Sequence, residues 1–491
     1  MLIRKNKRLI LQRIRQKSFE RKCLRNKVLK RRRVQYQEPR EGLPIPRQFR
    51  RYKSFTPNST RQQQTIKDFT RKKNYYLSKH LPINLDFLVK TKESPFFLEK
   101  IKREKFESKG VVKVPKVFSI IEEPEEGYLV LKKIVSSLLV ENNKYFVLDY
   151  SECQKVELGS QILLDIILKD FLAFAQKCQR IDRNHNEYFP ISVGGINIEN
   201  DEVRKMIFSV GSPVTLKVRE QKFRDIIPYK LCVHDNEKEQ DLDIRMEQKE
   251  LDTTEMVEYV IDCLERINKK LTPDKLDDLC TVIGEILINA EEHSSTKYRF
   301  SIGYFKEENA DGKHFGIFRL VILNFGQTIY EKFKDENCPN KLIVSKMKDL
   351  SKTYTRKLFF QRKFEEENLW TLYALQEGVT SVSPKDYKRG NGSIRFIESF
   401  FNIKGSQEAD DISHMTILSG RTQIVFDGKY CITPKINSNN EVFRVMTFNE
   451  SGDIEDQPDN KCVFQTENYF PGTLISARIL LNDDDFVQKN N

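Results

Sequence analysis

The rhythm of apolar and polar positions changes several times along this chain, and each change predicts an element. Residues 160–178, SQILLDIILKDFLAFAQKC, are apolar almost all round, which predicts a buried helix. Before it, KVFSII (116–121) and KYFVLDYSEC (144–153) read as strands on either side of a helix at 126–143. After it, FPISVGGI (189–196), NDEVRKMIFSVG (200–211) and VTLKV (214–218) read as strand, short helix and strand. Alternating β and α elements of this size predict a small α/β layer domain over 110–220.

A second periodic region begins near 253. TTEMVEYVIDCLERINKK (253–270) reads as one helix with Thr253 or Thr254 as its cap, and DKLDDLCTVIGEILINAEEHSS (274–295) as the next. At 100° per residue the second helix puts Glu285, Asn289 and Glu292 on one stripe, with Ile283, Ile286, Leu287 and Ala290 opposite. A carboxylate can orient or deprotonate water, and an amide oxygen can bind Mg²⁺ without repelling phosphate. Alone, that spacing is more often the mark of a solvated face.

Three later segments add to it. FGIFRLVILNFGQTIYEKF (315–333) is an apolar strand running into Asn324 and Gly326. DYKRGNGSIRFIESFFNI (386–403) sets Arg389, Gly390, Gly392 and Ser393 before an amphipathic helix, and YFPGTLISARILL (469–481) takes Gly472 and Thr473 into a strand. Glycines at a loop-to-helix junction let backbone N–H groups approach phosphates.

In this order the segments resemble the ATP-binding (Bergerat) fold of the gyrase, histidine-kinase and heat-shock-chaperone ATPases, over roughly 253–481. The resemblance implies Glu285 as general base and Asn289 as Mg²⁺ ligand. It also implies that Asn324 and Gly326 are at the base-reading turn, that Arg389, Gly390, Gly392 and Ser393 are around phosphates, and that Thr473 is near the base. Asn324 stands where the family has an aspartate, so both ATP and GTP stay open; Thr328 stands where it has a second glycine. The insert at 330–389 is either a lid over the triphosphate or a helical hairpin with Trp370, Leu372 and Leu375 as core; Lys385, Lys388 or Arg389 could reach phosphates. His293 reads as a helix-terminal residue without chemistry. Residues 110–220 resemble a STAS domain, with Asp149 and Ser151 at the turn and Ser160 near the phospho-acceptor position or as a helix cap.

Bulk properties add an arm. The 491 residues carry a net charge of +13, yet residues 1–80 hold 26 Lys/Arg against four acids, leaving 58 against 67 for the rest. Residues 1–80 therefore read as a basic, partly helical or disordered arm. RNA or DNA is one partner for it, and a solvating tail or an anionic membrane are the others. Residues 81–109 read as a linker, 221–252 as a charged connector, and 482–491 as an acidic tail. Nine scattered cysteines form no zinc or disulfide pattern, no apolar run reaches bilayer length and no signal sequence is legible, so a cytoplasmic setting is expected, and the resemblance to STAS-plus-ATPase proteins implies a bacterial one.

The expected fold class is α/β (an α+β sandwich): a Bergerat-type mixed sheet with helices on one face, behind a STAS-like domain and the arm. The expected activity is slow, Mg²⁺-dependent ATP hydrolysis driving a switch, with a protein partner through the STAS-like domain; a homodimer is compatible with it. The alternatives are a serine protein kinase similar to anti-sigma factors, and a nucleic-acid-binding protein with a degenerate nucleotide site.

Overall fold

The helix predicted from its all-round apolar sequence organises the chain. The computed structural model describes residues 60–480 apart from 182–187, 191, 217, 220, 236–241, 267–269, 293–297, 311–312, 356–363, 380, 382–393, 396, 399, 402–412, 437–439 and 441; within the helices and strands, the side chains of 60–65, 234–235, 242–249, 252, 282, 284–292, 309–310, 313–314 and 353 also lie outside it. The chain begins with α1 (Thr60–His80), α2 (Ile83–Lys90) and α3 (Leu98–Glu104). It continues through β1 (Val111–Lys113), β2 (Val117–Phe118), α4 (Pro124–Val135), a π turn at Ser136–Val140, β3 (Phe146–Asp149) and β4 (Lys155–Val156). Next come α5 (Leu158–Ile181), β5 (Val193–Ile196) and α6 (Asp201–Ser209). Strands β1, β3 and β5 form a parallel sheet in that order, and β2 pairs with β4.

Every residue of α5 from Leu158 to Leu168 is buried, because the helix is covered on two sides. Its apolar side chains share one core with Phe146 and Leu148 of the parallel sheet and with Phe300, Val321, Leu323 and Leu474 of a second, larger sheet. Each such side chain contributes roughly 1.5–3 kcal/mol by leaving water.

Several expectations need correction. Residues 81–109 are not a linker: Leu85, Leu88, Phe96 and Ile101 are almost wholly buried. The arm is shorter than 1–80, since Phe69, Tyr76 and Leu77 belong to the same core. Lys73 holds this segment down, donating to Val140 O and Glu141 O, each at 2.9 Å, and to Asn142 Oδ1 at 3.1 Å, where the π turn ends. Residues 1–59 and 481–491 lie outside the described residues. Residues 214–216 are no strand; Pro213 begins a 3₁₀ turn at Pro213–Thr215, capped by the Ser212 hydroxyl. Ser160 does not cap α5. The Glu157 carboxylate does, taking Gly159 N at 2.6 Å and Ser160 N at 2.9 Å, while Ser160 Oγ accepts Ile120 N at 2.8 Å.

The second half adds β6 (Ile226–Asp235), α7 (Leu242–Arg266), α8 (Pro273–Glu292), β7 (Tyr298–Ala310), β8 (Lys313–Phe325), α9 (Ile329–Lys334), α10 (Lys341–Thr355) and α11 (Glu366–Ala374). It ends with β9 (His414–Phe426), a hairpin of β10 (Thr433–Ile436) and β11 (Val442–Val445), and β12 (Val463–Leu480). The charged connector at 221–252 thus supplies β6, an edge strand of a five-stranded sheet ordered β6-β7-β8-β12-β9, and the start of α7. Thr253 and Thr254 cap nothing; α7 runs through both, and the Thr254 hydroxyl bonds back to Glu250 O. All four pairings of the sheet are antiparallel rather than mixed. Two residues join β7 to β8, too few for the crossover that a parallel neighbour needs. The sheet is also covered on both faces, α5 on one and α7, α8, α10 and α11 on the other. The insert is a helical packing unit as one reading held: Trp370, Leu372 and Leu375 are buried, and Trp370 Nε1 donates to Ser351 Oγ at 3.1 Å.

Inside α5, Asp165 is 1% exposed and accepts Ser212 Oγ at 2.5 Å and Gln161 Nε2 at 2.8 Å. Burial pushes its carboxyl from 3.8 up to about 7, against the two hydrogen bonds. Between about pH 4 and 7 the folded chain therefore keeps a proton that the unfolded chain has released, and this stability is lost as pH rises through the window. Asp165→Asn should flatten the fall by up to about 1.4 kcal/mol per pH unit. Urea unfolding of both proteins from pH 5 to 8 checks this, and parallel curves would refute it; Asp170, raised to about 6 by burial, leaves a residual slope in each.

Candidate functional site

Strand alternation sorts the side chains of β8 between the two faces. Val321, Leu323 and Phe325 join the α5 core, whereas Phe318 and Ile322 join the core under α7 and α8, so Asn324 points to the latter side. Register extends Asn324 into a row: Arg299 of β7 and Thr473 of β12 stand opposite it, and Ser419 of β9 stands opposite Thr473. All four side chains are buried. Polar residues on the inner face of a central sheet are costly to bury unless they are bonded.

Two of the four have their bonds in view. Ser419 Oγ lies 3.1 Å from Gly472 O, accepts Ile329 N at 3.0 Å, and is 3.0 Å from Thr473 Oγ1. If the single Ser419 proton goes to the Gly472 carbonyl, Thr473 donates to Ser419 and keeps its own lone pairs for another donor. Asn324 differs. It is fully buried, and neither Oδ1 nor Nδ2 has a hydrogen-bond partner among the described residues. An unsatisfied buried amide costs about 1–3 kcal/mol.

The turn at this end of the sheet depends on one glycine. Pairing of β12 with β9 slips between Phe470 and Thr473, leaving Pro471 and Gly472 as a bulge. Gly472 has φ of 149°, and a Cβ there would sit 2.1 Å from Asn324 O. Gly326 N donates to Pro471 O at 3.2 Å, tying the two strand ends together. Thr328 is a helix cap: its hydroxyl accepts Glu331 N at 3.1 Å, and Glu331 Oε2 accepts Thr328 N at 2.9 Å. A glycine there would lose that box.

Helix α8 starts for local reasons, with Thr272 Oγ1 accepting Lys275 N and Pro273 at the first helical position. Its first half lies over the sheet, where Leu279 and Ile283 line a cavity of about 40 Å³ with Phe318, Leu320 and Ala477. Its last residue is six positions before Tyr298, the start of β7, beside the Asn324 row. Six residue steps span at most about 20–22 Å, which keeps the end of α8 within that distance of Tyr298. Glu285 and Asn289 stand on the second half of α8, and their side chains lie outside the described residues.

Of the site positions read from the sequence, register sets Asn324 and Thr473 opposite one another, and the Gly326 bond to Pro471 brings Gly326 to the same turn. Arg389, Gly390, Gly392 and Ser393 lie outside the described residues, as do Lys385, Lys388 and His293. Sequence reasoning missed Arg299 and Ser419. The signal for Arg299 was a charge flanked by Tyr298 and Phe300 in a strand-like run; Ser419 had none, because register alone places it. Among the described residues no group of His, Cys, Asp or Glu side chains is arranged to hold a metal, and no helix is long and apolar enough to cross a membrane. Comparison of the chain with protein-family models, curated proteins and solved structures finds no match.

Proposed function

We propose that the C-terminal half binds a purine nucleoside triphosphate with Mg²⁺, as a slow ATPase whose nucleotide state is passed to the N-terminal α/β unit. The observation that carries this reading is the amide of Asn324, fully buried beside Thr473 and without a hydrogen-bond partner among the described residues. An amide offers one acceptor and two donors, and Thr473 left as an acceptor favours a ligand amino group, so the pair fits a nucleobase edge. Asn289 would hold Mg²⁺, which neutralises phosphate charge. Glu285 would orient and deprotonate water. Gly390 and Gly392 would receive the phosphates. The Bergerat and STAS resemblances support the reading through motif order. The route to the N-terminal unit is the shared sheet: α5 packs on the reverse of β8 and β12, where Ser476 Oγ lies 3.4 Å from Glu157 Oε1. Ser160 is wholly buried and bonded, which speaks against phosphorylation at that position.

Calorimetry on the full chain with ATP or GTP plus Mg²⁺ tests the proposal; no binding of either would end it. Asn324→Leu gives a sharper signature. Replacing an unsatisfied buried amide by an apolar group of similar size is neutral or stabilising, whereas losing a base-reading group costs tenfold or more in affinity, about 1.4 kcal/mol. Unfolding temperature should hold or rise while nucleotide affinity falls. Equal loss of both would mean that Asn324 is structural.

A further inference from the structure

The opposite face of the same sheet, toward its other end, carries two arginines without a hydrogen-bond or ion-pair partner among the described residues. Register sets Arg319 of β8 directly across from Arg478 of β12, with Tyr304 beside Arg319 and His414 beside Arg478. Alternation puts the row on the α5 side, with Val321, Leu323 and Leu474. Side chains directly opposed in an antiparallel pair have Cβ atoms about 4.5–5.5 Å apart, and like charges so placed repel.

Other arginines of this chain are held. Arg444 bonds Glu377 Oε2 at 3.1 Å and also reaches Glu398, and Arg421 donates to Glu467 O. Arg319 and Arg478 have no hydrogen-bond or ion-pair partner among the described residues, and the Nε of each is buried. Arg319 lies over the Tyr304 ring at 5.6 Å. The carboxylates around the pair are engaged elsewhere: Glu122 with Lys155 at 2.5 Å, and Glu202 and Glu308 with Lys306 at 2.6 and 3.2 Å. Glu308 and Glu122 reach Arg478 only through longer-range attraction, while burial and then Arg319 push its pKa down.

We propose that Arg319 and Arg478 form a site for a phosphate-type oxoanion at the seam between the large sheet and the N-terminal unit. A tetrahedral dianion has oxygens enough to accept from two guanidinium forks at once. It would cancel the repulsion across the β8–β12 pair, and both side chains are half-buried, so screening by water is reduced. The site is separate from the Asn324 row: Asn324 is five residues along β8, about 17 Å, and on the other face.

The test is thermal unfolding and calorimetry of the full chain with inorganic phosphate, glycerol 3-phosphate, and chloride at matched ionic strength. The proteins compared are wild type, Arg319→Gln, Arg478→Gln, Arg478→Lys and Asn324→Leu. Phosphate should raise the unfolding temperature saturably. Each Gln variant should weaken phosphate at least tenfold, Arg478→Lys less so, and Asn324→Leu not at all. Without phosphate the Gln variants should be at least as stable as wild type, because the repulsion is gone. Tighter glycerol 3-phosphate binding identifies a phosphomonoester site; tighter inorganic phosphate identifies a free-anion site. A phosphate effect no larger than that of chloride, one undiminished in both Gln variants, or Gln variants less stable than wild type without phosphate would each overturn the proposal.

Discussion

Glu285→Ala is expected to keep nucleotide binding and lose turnover by about 10²-fold or more, the usual worth of a positioned general base. The expectation rests on the proposed ATPase reading. Glu285 stands on the second half of α8, one turn before Asn289. A base acts in the chemical step, so its loss lowers the rate constant and leaves the Michaelis constant near its original value. Asn289→Ala should instead weaken nucleotide binding in the presence of Mg²⁺ and matter little in its absence. Steady-state phosphate release with matched calorimetry separates the two variants. Unchanged turnover in Glu285→Ala would remove it from the mechanism, and loss of affinity in both would make the stripe a structural face.

Gly472→Ala should be the most damaging single methyl group in the C-terminal half. A Cβ at this position would lie 2.1 Å from Asn324 O and 2.9 Å from Phe325 Cα, both backbone atoms of the neighbouring strand. No rotamer change relieves such a clash, so β12 and β8 must separate at the turn. The φ of 149° adds strain of about 1–3 kcal/mol for a residue with a side chain. Together these predict a loss of at least about 3 kcal/mol, within the range of severe core defects, and a fall in melting temperature of roughly 6 °C or more. Gly194→Ala is the control, because a Cβ there meets nothing within 4 Å. Equal melting temperatures for the two variants would show that the bulge yields without cost. Nucleotide affinity should fall in Gly472→Ala beyond what stability explains, since Thr473 and Asn324 flank the same turn.

Helices and the parallel unit were the legible part of this fold. The apolar surround of α5 marks it as buried, the periodicity of 274–295 marks α8, and Trp370 with Leu372 and Leu375 mark a packed insert. These are local signals: a helix closes its hydrogen bonds within four residues, and its periodicity is written in its own sequence. Boundaries were less legible. Residues 81–109 look polar on average, yet Leu85, Leu88, Phe96 and Ile101 supply enough apolar contact to fix two short helices on the core. Mean composition hides a buried stripe.

The candidate site divides the same way. The sequence by itself determined which residues could do chemistry, the order of the glycine turns, and the helix on which Glu285 and Asn289 share a face. Tertiary structure alone decided that Arg299, Asn324, Thr473 and Ser419 form one row, that β6 and β9 complete the sheet, and that Arg319 meets Arg478. Thr473 pairs with Asn324 across about 150 residues of chain, and with Ser419 across more than fifty. Strand register is set by packing between distant segments, and shifting it by one residue turns every side chain to the other face. No local pattern carries that information.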